Sequence, residues 1–166
     1  MTAANQQTPN TVHAHGSESC NTIDRKCSQK LHTARAILAV KPFLSRTQML
    51  AMVDGCRGEE GDFFRQTFVD IANRIASMPK TYEQDGMGDQ AVVHLHYFRG
   101  DSDWYILEKD MEGGVQQAFG YAVLHGDEAC AELGYISIEE ITRHCAELNL
   151  HFIPCTLAEI KAKRRH

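Results

Sequence analysis

The sequence predicts an α+β fold: an N-terminal helical unit followed by an antiparallel β-meander of about four strands with one or two packed C-terminal helices. Three observations carry this prediction. Apolar residues recur at helical spacing up to residue 77 and then alternate from residue 91 onward. A proline- and glycine-containing connector, "MPKTYEQDGMGDQ" (78–90), separates the two patterns. The links between the later apolar runs are short, which suits an antiparallel meander and not a parallel sheet.

The elements follow in order. Residues 1–20 are rich in Thr, Asn, Gln, Ser and Ala without a period, and read as a disordered tail. From Asn21 to Val40, Ile23, Cys27, Leu31, Ala34 and Leu38 fall on one face of a helix. Pro42 ends it, because a residue before proline disfavours the helical region. Ser45 reads as the N-cap of a second helix with Met49, Leu50 and Val53 on its buried side. A third helix, about Glu59 to Ser77, carries Phe63, Phe64, Phe68, Ile71, Ala72 and Ile75. After the connector, "AVVHLHYF" (91–98) is β-branched and aromatic, as strands are. "RGDSD" (99–103) is turn chemistry, and "WYILEK" (104–109) is a second strand. "DMEGG" (110–114) turns again into "VQQAFGYAVLHG" (115–126), and "ELGYIS" (132–137) is a fourth strand. Ser137 and Glu140 form a capping box that opens a helix running through about Leu148. "LHFIP" (150–154) is extended, and Thr156 with Glu159 repeats the capping signature before a last helix. The predicted organisation is a tail (1–20), a helical unit (21–77), an acidic α+β domain (78–160) and a basic tail (161–166).

The 166 residues suffice for a real core, and 43% hydrophobic with 23% charged residues is ordinary for a soluble globular protein. No apolar run approaches the length of about 18 residues that a membrane helix needs. The start, "MTAANQQTPNTVHAHGSES", has neither a basic nor an apolar segment, so no signal peptide is expected. A cytoplasmic location without membrane contact follows as the expectation. The six cysteines show no CxxC spacing and read as reduced thiols. His13, His15, Cys20 and Cys27 together could ligate zinc, although their intervals fit no common zinc module.

Charge is divided unevenly along the chain. Residues 1–79 hold 9 Lys+Arg against 7 Asp+Glu, and residues 80–160 hold 4 against 15, a net −11. The last six residues, "KAKRRH", carry four cations and no acid. Such an acidic region repels nucleic acid and attracts basic surfaces, most strongly at low salt. Solvation alone explains many acidic domains, so charge by itself identifies no partner.

Chemistry has few signatures. On one regular strand His94 and His96 would share a face, and with His125, His151, Cys145 or a carboxylate could bind a metal. No HExxH, no GxSxG elbow and no phosphate-binding glycine loop is present. Structural histidines are the commoner outcome for an isolated HxH pair. The triplet Arg99-Gly100-Asp101 is short enough to arise by chance. Acidic residues recur at the turns, with Asp101/Asp103 and Asp127/Glu128 expected at one end of the meander and Asp110/Glu112 at the other. Tyr97, Trp104, Tyr105, Phe119, Tyr121 and Tyr135 are expected mostly in the core; an exposed subset beside acids would make a protein-binding patch.

Several short strings carry a resemblance. They are Pro79-Lys80-Thr81-Tyr82, Gly88-Asp89, His94 to Phe98, Asp103-Trp104-Tyr105, Phe119-Gly120-Tyr121, Glu132-Leu133-Gly134-Tyr135-Ile136 and the closing "LHFIPCTLAEI". Over about residues 78–160 the chain resembles a family of uncharacterised proteins carried on plasmids, integrative elements and phages. The resemblance implies genomic company and transfers no catalytic residue.

Charge and company together lead to the expectation of a non-catalytic anti-defence protein, of anti-CRISPR or anti-restriction type. It would occupy the basic nucleic-acid groove of a host defence complex. The expected contact residues are Asp101, Asp103, Trp104, Glu108, Asp110, Glu112, Asp127, Glu128 and Glu132, with the helical unit as a second contact or homodimer interface. No cofactor is expected. One alternative is a small metal-dependent enzyme or ligand-binding domain using His94 and His96. The other is a plasmid maintenance or transfer accessory protein whose "KAKRRH" would touch nucleic acid weakly, although direct nucleic-acid binding is not the expectation.

Overall fold

The computed structural model describes the backbone of residues 17–164 and the side-chain surroundings of residues 27–164. Three helices come first: α1 (Ser17–Val40), α2 (Arg46–Gly55) and α3 (Gly61–Ser77). Helix α1 stops before Pro42, and a single 3₁₀ turn, Lys41–Phe43, follows. Ser45 caps α2, its hydroxyl oxygen accepting from the Gln48 N–H at 3.2 Å. Residues 1–16, most of the expected tail, lie outside the described residues; 17–20 are helical.

The apolar stripe read from α1 is not its packed face. Thr33, Ala36 and Val40 are buried, whereas Cys27, Leu31, Ala34 and Leu38 are exposed. The reason lies in α3, whose Phe68, Ile71 and Ile75 fill the space between the helices. Small residues on α1 let those bulky side chains approach. Leu50 of α2 and Phe63 of α3, both expected inside, are likewise exposed.

The chain then forms β1 (Val92–Val93), β2 (Leu95–Arg99), β3 (Ser102–Glu108), β4 (Ala118–Val123) and β5 (Glu132–Ile136). Helix α4 (Ile138–Arg143), β6 (Glu147–Leu148), β7 (Cys155–Thr156) and α5 (Leu157–Arg164) complete it. The fold is α+β, as the change of period predicts. The main sheet is antiparallel in the order β5-β4-β3-β2-β6, with five strands where about four were expected. Strands β1 and β7 make a separate antiparallel pair.

Boundaries depart from the sequence reading where the backbone changes direction. The strand expected over 91–98 breaks at His94. Val93 packs with Leu157 and Ile160, while Leu95 and Tyr97 pack on the opposite side of the sheet. The helix expected through Leu148 ends at Arg143. There the Cys145 N–H bonds the Thr142 carbonyl and the Ala146 N–H bonds the Ile141 carbonyl. This double bond is a Schellman stop, and Cys145 holds the left-handed position at φ +63°. The turn frees Glu147 and Leu148 to pair with β2.

Each face of the sheet has its own cover. Leu95, Tyr97, Ile106 and Leu148 pack with Val40, Phe43, Met52, Phe68 and Ile71 from the helical segment. The helices and the sheet therefore share one core across residue 77. Tyr97 is fully buried, and its hydroxyl donates to the Phe43 carbonyl at 2.8 Å, so no polar atom is orphaned there. On the other face Tyr105, Leu107, Tyr121 and Val123 pack against Leu157 and Ile160 of α5.

Candidate functional site

Helix α5 covers only part of the second face. Phe119 of β4 and Leu133 and Tyr135 of β5 lie beyond that cluster, and Leu133 and Tyr135 are exposed. The connector 78–90 stands over this open part, held by backbone bonds to Lys109, the residue that follows β3. Thr81 N–H donates to the Lys109 carbonyl and Lys109 N–H to the Pro79 carbonyl, each at 2.9 Å. Glu108 accepts from the backbone N–H groups of Tyr82 (2.9 Å) and Gln84. The Gln84 amide nitrogen donates to the carbonyls of Val92 and Leu107, both at 3.0 Å. So tethered, Tyr82 adopts φ +78°, a conformation that an L residue holds only when its surroundings impose it.

Between connector and sheet lies a cavity of 420 Å³, walled by Tyr82, Phe119, Leu133 and Tyr135, with Leu107, Glu108, Asp85 and Ala91 among its other residues. The Tyr82 and Tyr135 hydroxyls are 2.6 Å apart. Their bond raises the Tyr135 phenol above its ordinary value. Both rings also border a second, 660 Å³ hollow that contains Asp110, Met111 and Glu112. The tyrosine pair thus bars the boundary between two hollows.

Among the described residues, neither hollow is lined by a Lys or Arg. Glu108 is 4% exposed, yet forms no ion pair among the described residues; nor do Asp85, Asp110 and Glu112. Lys109, next in the chain, turns its ammonium to the Ile75 and Ala76 carbonyls at the end of α3 (2.6 and 2.9 Å). Aromatic walls with uncompensated carboxylates favour a cation over an anion or a neutral apolar ligand.

The acidic residues singled out in the sequence separate into different surroundings. Asp101, Asp103, Asp127 and Glu128 do gather at one end of the meander. Asp103, however, is half-buried in an internal network. Its carboxylate meets His96 Nε2 at 2.7 Å and Arg164 at 2.6 Å. Arg164 also donates to Glu128 (2.6 Å) and to the Tyr105 hydroxyl (3.1 Å). Burial raises the Asp103 carboxyl, but the bonds from His96 and Arg164 outweigh it and hold the group below its ordinary value. Arg164 is held above its ordinary value by the same contacts, against its own desolvation.

Trp104 faces the helical layer and is half-buried. Asp110 ties its turn by accepting from Glu112 and Gln117 N–H groups (3.1 and 3.2 Å). Asp127 accepts from the Ala129 N–H at 3.0 Å. Asp101, Glu112 and Glu132 are exposed. The cations expected at the end of the last helix and in the basic tail (161–166) are in part engaged with acidic residues. Residues 161–164 belong to α5, where Arg164 joins the network and Lys161 pairs with Asp89 at 2.6 Å. His166 and Arg165 lie outside the described residues.

The two histidines do not share a face. His96 stacks on Tyr105 (ring centroids 4.5 Å apart, planes 7° apart) and meets Asn149 at 3.3 Å. The break before Leu95 turns His94 the other way, toward Arg74 and Lys109. Burial first, and then those two cations, lower its imidazole below the ordinary value. Among the described residues no three His, Cys, Asp or Glu side chains are placed to hold a metal ion. Cys27 is exposed; His13, His15 and the side chain of Cys20 lie outside the described residues. No described helix is long and apolar enough to cross a membrane.

Tyr82, Asp85 and Leu133 carry no weight in the sequence as site residues, and Arg164 carries weight there only as one cation of a basic end. The one usable signal was an aromatic residue, Tyr82, inside an otherwise polar, turn-forming connector. No protein-family model, curated protein or solved structure matches the chain.

Proposed function

We propose that this protein is a non-catalytic anti-defence factor of mobile elements, of anti-CRISPR or anti-restriction type, that binds a host effector through the effector's basic nucleic-acid groove. One observation carries the reading: exposed aromatic side chains and carboxylates that form no ion pair among the described residues gather around one cleft, with no described Lys or Arg in its lining. Interface cores favour tyrosine, and complementary charge guides docking. The surrounding charge has the right sign. Residues 80–160 carry −11, and the three cations of residues 161–164 reduce this to −8 over 80–164. Internal pairing with Arg164 takes Asp103 and Glu128 from the expected contact set. The contact instead centres on Tyr82, Tyr135, Asp85 and Glu112. The resemblance to plasmid- and phage-borne proteins over residues 78–160 points the same way. The exposed stripe Leu31, Ala34 and Leu38 of α1 leaves the helical layer a face for a second contact or a homodimer.

The experiment is capture of purified restriction nucleases and CRISPR effector complexes on the immobilised protein, across a salt series. Binding should weaken as salt rises. A double reversal, Asp85→Lys with Glu112→Lys, should abolish it, while Glu147→Lys on the far edge strand leaves it intact. Capture that ignores salt, or that survives the double reversal, would overturn the proposal.

A further inference from the structure

The cleft has a chemistry more specific than an acidic surface. A buried carboxylate normally sits opposite a cation, because taking a lone charge out of water is costly. Glu108 has only two backbone N–H donors, from Tyr82 and Gln84, and no ion pair among the described residues. Those donors satisfy its hydrogen bonding in part but do not neutralise its charge. It borders the 420 Å³ cavity, and Asp85 adds a second carboxylate at the exposed rim. Three aromatic rings, Tyr82, Phe119 and Tyr135, complete the walls. Phe119 and Tyr135 pack edge to face at 5.8 Å, which presents ring surface and ring edge to the same space.

We infer that the cleft between the connector and the sheet is a pocket for an arginine side chain of the protein partner. This rests on the proposed function, because it takes the cleft as the contact site. Among protein cations the guanidinium suits the walls best. It is planar, stacks on phenol and phenyl rings, is weakly hydrated for a cation, and offers five donors to carboxylate and hydroxyl oxygens. An ammonium is more strongly hydrated and gives up its water less readily. A basic groove built to hold phosphates displays arginines, so the inserted group is one the proposed partner class supplies. The Tyr82–Tyr135 bond closes one side of the pocket, and its hydroxyl oxygens are further acceptors within the wall.

The test is a nuclear magnetic resonance titration of the full-length protein. The probes are a capped pentapeptide, Gly-Gly-Arg-Gly-Gly, the same peptide with neutral citrulline for arginine, and arginine amide. The arginine peptide should shift the amide signals of Gln84, Asp85, Leu107 and Tyr135, and arginine amide should shift the same set. The citrulline peptide should bind at least about tenfold more weakly, since it keeps the shape and loses the charge. Tyr135→Ala and Asp85→Asn, both at exposed positions, should each weaken the arginine peptide by several-fold with an unchanged circular dichroism spectrum. Equal shifts with citrulline, shifts confined to residues outside the cleft, or no shifts overturn the inference. The two proposals fail separately. Effector capture that persists without arginine binding sinks only the pocket, whereas arginine binding without effector capture sinks only the anti-defence reading.

Discussion

Arg164 joins three acceptors from two parts of the chain: Asp103 and Tyr105 on β3, and Glu128 in the β4–β5 connection. Replacing it by Met keeps the stem and removes every donor, leaving Asp103 half-buried with His96 alone. Arg164→Met should lose about 1–3 kcal/mol of stability in urea unfolding. His94 and Asp103 place losses at different pH. His94 has a lowered value in the fold, so the stability from its neutral form is complete above about pH 6.5 and falls as pH drops through the folded value. Asp103 is also lowered, but as a carboxylate it contributes fully above about pH 4 and loses its contribution only in stronger acid. Urea midpoints measured across pH should therefore decline in two steps, and His94→Gln should remove the step nearer neutrality. At this scale the sequence was legible for caps and poor for partners. Ser45, Ser137 and Thr156 all cap where their spacing predicts, because a cap is settled within four residues. Asp103 and Arg164 stand 61 residues apart and meet only because α5 lies across the sheet.

At the scale of elements, two backbone positions make opposite predictions. Cys145 occupies the left-handed position of the stop after α4, where glycine is at ease. Its side chain is exposed, so Cys145→Gly should raise stability by about 1 kcal/mol, read as a higher thermal midpoint. Gly120 in β4 has no room to grow. A β-carbon there would come within 2.4 Å of the Tyr105 carbonyl oxygen, on the neighbouring strand's backbone. Gly120→Ala should therefore cost at least about 2 kcal/mol and separate β3 from β4, seen as lost amide protection at Tyr105 and Ile106. The meander itself was legible, since its turns are local and its strands alternate. The break at His94 was not. "AVVHLHYF" is uniform in composition, and only the pairing of Val92–Val93 with Cys155–Thr156, more than 60 residues later, decides where the strand divides. Helix α1 misled for a related reason. It has two apolar stripes, and α3 selects the one with smaller side chains.

For the whole molecule, net charge was readable from composition, whereas its distribution over the surface was not. Lys161 and Arg164, read from the sequence as cations at the basic end of the last helix, pair with Asp89 of the connector and with Asp103 and Glu128 at the acidic end. Four carboxylates with no ion pair among the described residues, Asp85, Glu108, Asp110 and Glu112, border the two hollows beside the tyrosine pair, which are made from a connector and a sheet face that no local pattern brings together. The position of the cleft has a practical consequence. Trp104 is the only tryptophan and lies in the seam between sheet and helices, while Tyr82 and Tyr135 mark the opposite face. Indole emission thus reports whether the two layers remain closed, and of the five tyrosines the two at the cleft supply the part of the phenol difference absorbance that docking perturbs. A single unlabelled sample carries two optical channels, one for unfolding and one for docking.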